Sequence, residues 1–69
     1  MTTRVEKNGK HYSINTIYTY ASGWQSFAWE IDDDGVVGYV PSAADVFYDS
    51  EADAYAGHKV AVANFMEEG

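Results

Sequence analysis

The chain of 69 residues lacks cysteine, so neither a disulfide nor a thiolate metal site can stabilise its fold. No apolar run approaches the ~20 residues of a membrane-spanning helix, and the first ten residues lack the apolar core of a signal peptide. A chain this short buries only ~60% of the surface that its unfolded form exposes. We therefore expect one small cytoplasmic domain, residues 1–69, that is stabilised by packing of large side chains or by oligomerisation.

Basic residues are also scarce, because four lysines and arginines stand against eleven acidic residues, for a net charge of -7. Residues 1–10 carry three of the four basic residues, whereas residues 11–69 carry ten acidic residues and one lysine. Nucleic acids and anionic membranes are bound mainly through lysine and arginine, so we expect neither partner. Solubility is the simplest interpretation of the acidity. An acidic decoy or antitoxin-like partner of a basic protein is an alternative.

Alternation of apolar and polar residues predicts antiparallel strands in the first part of the chain. The alternation is most regular over residues 11–20, whose even positions we expect on the core side. Residues 24–31 form a second predicted strand and residues 36–40 a third, which Pro41 ends. The sequence leaves open whether the segment Asp45–Tyr48 adds a fourth strand.

Two glycine-containing pairs indicate where the chain turns. Asn8-Gly9 is the favoured pair for a tight hairpin turn, because both residues tolerate positive φ. The sequence leaves open whether residues 1–9 are flexible or form a short hairpin strand. Asp34-Gly35 predicts a second hairpin between two aromatic-rich strands.

The segment from Ser50 to Glu68 has the period of an amphipathic helix, which we expect over about residues 50–67. The Ser50 hydroxyl is the expected N-cap, since it can accept a hydrogen bond from a free backbone N–H. His58 falls in the middle of the apolar side of this helix. The other residues on that side are Ala54, Tyr55, Ala61, Val62, Phe65 and Met66.

These elements predict an α+β fold, in which an antiparallel meander of three to four strands is covered on one face by a single C-terminal helix. The sequence leaves open whether a short N-terminal hairpin strand is added to this meander. Over about half of the chain, this order of elements resembles the HicB-like antitoxin fold. The Pro-Asp-Leu-Pro-Gly stretch of that family is absent, and Val40-Pro41-Ser42-Ala43 stands in its place.

The aromatic residues are candidates for both the core and a contact surface. We expect the rings of Tyr12, Phe27 and Trp29 to form the core under the helix. Trp24 lies on the opposite side of its strand from Phe27 by parity, and is therefore a candidate contact residue for a partner. Stacking of nucleic-acid bases on such rings normally requires neighbouring basic residues, which are missing here.

His58 is the candidate centre of a ligand or metal site, and such a site could be catalytic. The expected crevice lies between helix and sheet and is lined by His58, Tyr12, Tyr18 and Tyr55. The preferred interpretation is structural, with one imidazole nitrogen bonded to a tyrosine hydroxyl or a backbone carbonyl. With no cysteine and only His11 as a second histidine, we expect no metal and no cofactor.

The acidic turn Asp32–Gly35 does not fit an EF-hand. With Glu30 as the first position of the loop, the twelfth position, which must supply a bidentate glutamate, is Pro41. No serine lies in a nucleophile elbow, and no phosphate-binding loop is present. We therefore predict a protein without enzymatic activity.

A second apolar strip lies on the other side of the predicted helix and consists of small residues. A high-propensity solvent surface explains it as well as a close helix contact in a two-fold homodimer does. The strip contains Ala52, Ala56, Val60 and Ala63. The sequence thus predicts a protein–protein interaction module, most simply a homodimer.

Overall fold

The computed structural model describes residues 1–68, which form a five-stranded antiparallel sheet and one helix. The elements are β1 (Thr2–Lys7), β2 (Lys10–Thr19), β3 (Gly23–Asp32), β4 (Gly35–Val40), β5 (Val46–Tyr48) and α1 (Glu51–Glu67). The order in the sheet is β1-β2-β3-β4, and β5 also pairs with β3. The predicted α+β meander with a C-terminal helix is confirmed. Both segments that the sequence left open, near the N-terminus and before the helix, form strands.

The first hairpin turns at Asn8 and Gly9, whose φ angles are 54° and 79°. Both residues are therefore in the left-handed region, as the Asn-Gly pair predicts for a tight turn. The turn brings Lys7 opposite Lys10 and sets the pairing of β1 with β2. The N-terminal segment consequently forms an edge strand of the sheet.

β3 is the central strand and has two partners on its outer side. Its first part pairs with β5, from Trp24 opposite Tyr48 to Ser26 opposite Val46. Its second part, from Ala28 onward, pairs with β4. The gap between β4 and β5 along this edge contributes to a groove in the sheet surface.

α1 is fixed at both ends by side chains. At the N-terminus, the Ser50 hydroxyl accepts a hydrogen bond from the Asp53 N–H at 3.1 Å, which confirms the predicted cap. At the C-terminus, the Lys7 ammonium donates to the Phe65 carbonyl at 2.7 Å. The last turn of the helix contains no basic residue. The cation that its dipole favours is therefore supplied by β1.

Gly57 lets the helix approach the sheet closely. A Cβ atom at this position would lie 2.2 Å from Cε1 of the Tyr48 ring and 2.8 Å from Cζ. Glycine inside a helix costs about 1 kcal/mol relative to alanine. Here that cost is offset by the space that glycine leaves for the Tyr48 ring against α1.

The core lies between α1 and the sheet and is built mostly from small side chains. It is extended by the half-buried residues Val5, Tyr12, Val40 and Val62. Its fully buried members are Ile14, Ala28, Ala44, Ala61 and Phe65. The Tyr12 and Phe65 rings meet edge to face, with their centroids 5.0 Å apart.

Candidate interaction surface

The covered face of the sheet, on which α1 packs, has a chain of hydrogen-bonded polar groups at its centre. The two ring nitrogens of His58 lie 2.8 Å from the Thr3 hydroxyl and 2.6 Å from the Thr16 hydroxyl. The Thr16 hydroxyl also contacts that of Ser26 at 2.6 Å, and Ser26 contacts the Tyr48 hydroxyl at 2.9 Å. The prediction that a tyrosine hydroxyl or a carbonyl bonds to His58 is therefore wrong. A threonine hydroxyl lies within hydrogen-bond distance of each ring nitrogen instead.

Burial lowers the pKa of His58 below its ordinary value of 6.5, and the charged amino terminus lowers it further. The amino group of Met1 donates to the Thr16 carbonyl at 2.9 Å, which places a positive charge near the imidazole. The side chain is only 5% exposed. His58 is therefore a buried, fully hydrogen-bonded group whose lowered pKa favours the neutral ring, and this suits a structural group better than an open ligand site.

The structure does not bring the expected crevice residues together. Tyr12 packs on Phe65 near one end of α1. Tyr18 and Tyr55 lie toward the other end, where both rings contact Trp24 at centroid distances of 5.4 Å and 6.0 Å. His58 lies between these two aromatic groups, bonded to threonines.

The other side of the sheet, which we call the open face, carries no helix in the described part of the chain. Its residues alternate in β2 and β3 with those that contact α1. Phe47 is 70% exposed, Val36 60%, Tyr39 57% and Ile17 37%. The apolar and aromatic members of the open face are Ile17, Phe27, Trp29, Ile31, Val36, Tyr39 and Phe47.

The expected positions of the aromatic residues in β3 are therefore wrong. Phe27 and Trp29 lie on the open face, with their ring centroids 5.1 Å apart, whereas Trp24 shares the covered face with Tyr18. The pairing of Thr19 with Gly23 puts even residues of β2 opposite even residues of β3. The signal that was missed is this turn length, because it places Ser26 and Ala28 rather than the rings under α1.

Beside the rings of β3, the open face has a small polar floor on β1 and β2. The Asn15 side-chain oxygen accepts hydrogen bonds from the Thr2 hydroxyl at 2.9 Å and from the Ser13 hydroxyl at 3.1 Å. Its amide group donates to the Ser13 carbonyl at 3.2 Å. Within residues 1–68, every buried side-chain nitrogen and oxygen atom has a partner. Covering this floor would therefore leave none of these groups newly unpaired.

A groove of about 340 Å³ crosses the open face where β4 and β5 separate. Phe27, Tyr39 and Phe47 line it, together with Asp45. The Tyr39 hydroxyl donates to the Asp45 carboxylate, and this hydrogen bond raises the pKa of Tyr39 above its ordinary value. The groove thus combines aromatic walls with one acidic group.

The predicted small-residue strip of α1 lies on the solvent side of the helix. Ala52, Ala56, Val60 and Ala63 are all exposed, and Val60 is the only large side chain among them. Trp24, the fifth candidate contact residue, is half-buried between Tyr18 and Tyr55. The four helix residues and the open face are therefore on opposite sides of the molecule.

Comparisons with protein-family models, with curated proteins and with solved structures find no match for the chain. The resemblance to HicB-like antitoxins that the order of elements suggests is therefore not supported by a match. No group of three or more histidine and acidic residues within residues 1–68 is arranged to hold a metal ion. In the same part of the chain, no helix has both the length and the apolar character needed to cross a membrane.

Proposed function

We propose that the chain is a non-enzymatic protein–protein interaction domain that associates with itself as a homodimer. The observation that supports this proposal is the open face, where exposed apolar side chains of β2, β4 and β5 lie beside the half-buried rings of β3. Contiguous apolar patches on small soluble domains commonly mark sites of association. We place the protein in the cytoplasm, since it contains no cysteine.

The polar groups of the covered face support a role without catalysis. Thr3 and Thr16 engage both nitrogens of His58, and the chain continues through Ser26 to Tyr48. A general base needs a nitrogen that can reach a substrate. In this arrangement the imidazole holds α1 on the sheet.

Sedimentation equilibrium over micromolar concentrations tests the proposal. We expect the mass of the wild-type protein to approach twice the monomer mass of 7.6 kDa. Phe47→Lys places a charge on the open face and is expected to raise the dimer dissociation constant by at least about tenfold. Tyr20→Lys is the matched control, because Tyr20 is 98% exposed in the turn between β2 and β3.

Ala56→Glu tests the competing surface on α1. If this variant dissociates the dimer and Phe47→Lys does not, the small-residue strip is the interface. A wild-type protein that stays monomeric at all concentrations contradicts self-association. Salt-sensitive binding to a basic protein would then favour the acidic-partner interpretation.

A further inference from the structure

The open face is ordered in rows that run across the strands. One row consists of Arg4, Ser13, Trp29 and Tyr39, which are directly paired from β1 to β4. The next row is Thr2, Asn15 and Phe27. In both rows polar side chains stand on β1 and β2, and rings stand on β3 and, in the first row, also on β4. Along these two rows the face is therefore lower on the β1 side, whereas the adjacent row has Ile17 on β2 opposite Gln25 on β3.

The open face has charged side chains at both margins, with Arg4 and Glu6 on β1 and Asp45 beside β4. Arg4 lies on the β1 side, is exposed and makes no salt bridge with any described residue. Asp45 lies on the β4 side, where its carboxylate accepts from the Tyr39 hydroxyl. Arg4 and Asp45 thus lie at opposite margins of the same surface, and Tyr39, which shares the row of Arg4, contacts Asp45 through its hydroxyl.

We propose that two copies pack open face to open face around a two-fold axis that runs parallel to the strands between β2 and β3. This proposal rests on the homodimer proposed above and specifies its geometry. Such an axis places β1 of one copy over β4 of the other at the same row. Arg4 then lies over Tyr39 and beside Asp45 of the second copy, and this contact occurs twice.

The same axis makes the two surfaces complementary in shape. It sets the Trp29 ring over Ser13 of the second copy, and the Phe27 ring over Asn15. A two-fold axis perpendicular to the strands would instead stack β3 on β3, so that rings oppose rings. It would also place Arg4 above β1 of the second copy, far from Asp45. Size and charge therefore select the same arrangement.

The area of the face lies near the lower end of the range for a stable dimer. Four strands lie side by side in the sheet, and its longest strands have ten residues. At ~4.8 Å per strand and ~3.4 Å per residue the face measures roughly 650 Å², whereas each partner of a stable interface contributes ~600–1,000 Å². Strands related by this axis keep similar directions, which is the aligned packing of two-sheet sandwiches.

Charge reversal followed by mixing tests the arrangement. Arg4→Asp alone opposes two acidic groups at both contacts, and Asp45→Arg alone opposes two basic groups. We expect each variant to raise the dimer dissociation constant at least about tenfold. In an equimolar mixture, each contact of the heterodimer again joins one acidic and one basic residue. The dissociation constant should then return to within about threefold of the wild-type value.

Lys59→Asp and Glu67→Arg are matched controls, because they make the same changes in charge on exposed positions of α1. Neither variant, alone or mixed, should change the dissociation constant more than about threefold. Circular dichroism of each variant confirms that it is folded. Sedimentation equilibrium on the same samples supplies the dissociation constants.

The outcomes separate this arrangement from the broader proposal. Weakening by both charge variants without recovery in the mixture overturns the Arg4–Asp45 contact. Weakening by Phe47→Lys with no effect of either charge variant overturns the two-fold geometry and leaves a homodimer through the open face. If the wild-type protein is a monomer and binds another protein through Phe47, the partner of the open face is not a second copy of this chain, and the proposal is overturned.

Discussion

The two faces of this sheet are built from different kinds of residue. Under α1, the central positions of β2 and β3 are Ile14 and the small residues Thr16, Ser26 and Ala28, all of them buried. On the open face, the neighbouring positions of β3 are Phe27 and Trp29. Small residues let the helix approach closely and allow hydrogen bonds between hydroxyls. The large rings, each with ~150–250 Å² to bury, remain on the uncovered side.

The covered face accounts for the stability of the monomer, and the open face for the proposed association. The covered face stabilises the monomer through the Phe65 core and the hydrogen-bonded chain around His58. Apolar area contributes roughly 25 cal/mol per Å² only when it leaves water. Phe27 and Trp29 are already half-buried in the monomer, and the rest of the apolar area of the open face stays in water. We propose that a second copy covers it.

Replacing phenylalanine by alanine on each face should give the largest difference. Phe65 is 2% exposed and contacts Tyr12, so Phe65→Ala should lower the free energy of unfolding by about 3–5 kcal/mol. Phe47 is 70% exposed. Phe47→Ala should therefore change the free energy of unfolding by less than about 0.5 kcal/mol while weakening self-association. Urea unfolding at concentrations below the dimer dissociation constant measures both values.

Phe65→Leu keeps the test measurable if the alanine variant does not fold, because leucine retains most of the buried volume. Its loss of stability should lie between those of the wild-type protein and Phe65→Ala. Equal losses for Phe65→Ala and Phe47→Ala would show that the two faces contribute alike to the monomer, contrary to this comparison.

Much of this fold follows from local patterns in the sequence. The alternation of residues 11–20, the Asn8-Gly9 turn and the Ser50 cap each depend on residues close together in the chain. Such features can be predicted because their geometry is set by neighbouring φ and ψ angles and by nearby side chains. The helix and three of the strands were therefore predictable.

The orientation of β3 could not be derived from its composition. Its apolar side, with Phe27 and Trp29, faces away from α1, although burial of the more apolar side is the usual expectation. Only the pairing of Thr19 with Gly23 fixes the orientation, and one residue more or less in that turn would reverse it. The pattern for this reason predicts Phe27 and Trp29, which lie on the open face, as core residues.

The partners of His58 also could not be predicted from the sequence. Thr3 lies 55 positions away and Thr16 lies 42 positions away. The alternation in β2 places Thr16 on the predicted core side but does not connect it to His58, and nothing in the sequence distinguishes Thr3 from Thr2. Their convergence depends on how the helix is placed over the sheet. The sequence could indicate that His58 needed partners, but not which ones.

Gly57→Ala tests how closely the covered face approaches α1. In an open helix this substitution stabilises by about 1 kcal/mol. Here the new Cβ would lie 2.2 Å from the Tyr48 ring, so we expect a loss of about 1–3 kcal/mol in the free energy of unfolding. Urea unfolding of the purified variant measures this change.

Tyr48→Ala provides the control, because it removes the ring that the new methyl group would strike. In that background, Gly57→Ala should be stabilising by about 1 kcal/mol. A destabilising effect of the same size in both backgrounds would place its cause in the helix itself rather than at the contact with β5.

The smallest expected effect is the pH dependence that His58 gives to the covered face. Its pKa in the folded protein lies below the ordinary value of 6.5, first because the ring is buried and second because of the amino terminus of Met1. Between these two pKa values the unfolded state binds more protons than the folded state. The free energy of unfolding must therefore rise with pH in this window. The contribution of neutral His58 is complete above about pH 6.5 and is lost as the pH falls toward the folded pKa.

Urea unfolding between pH 5.5 and 8 measures this slope in a range above the titration of most carboxylates, ~3.9–4.3. His58→Gln should remove the part of the slope that lies below pH 6.5, because glutamine does not titrate. His11→Asn should retain it, since His11 is exposed on the open face and does not contact the network. A slope that survives in His58→Gln and disappears in His11→Asn would assign the pH dependence to the open face. The neutral imidazole would then no longer distinguish the covered face from the open one.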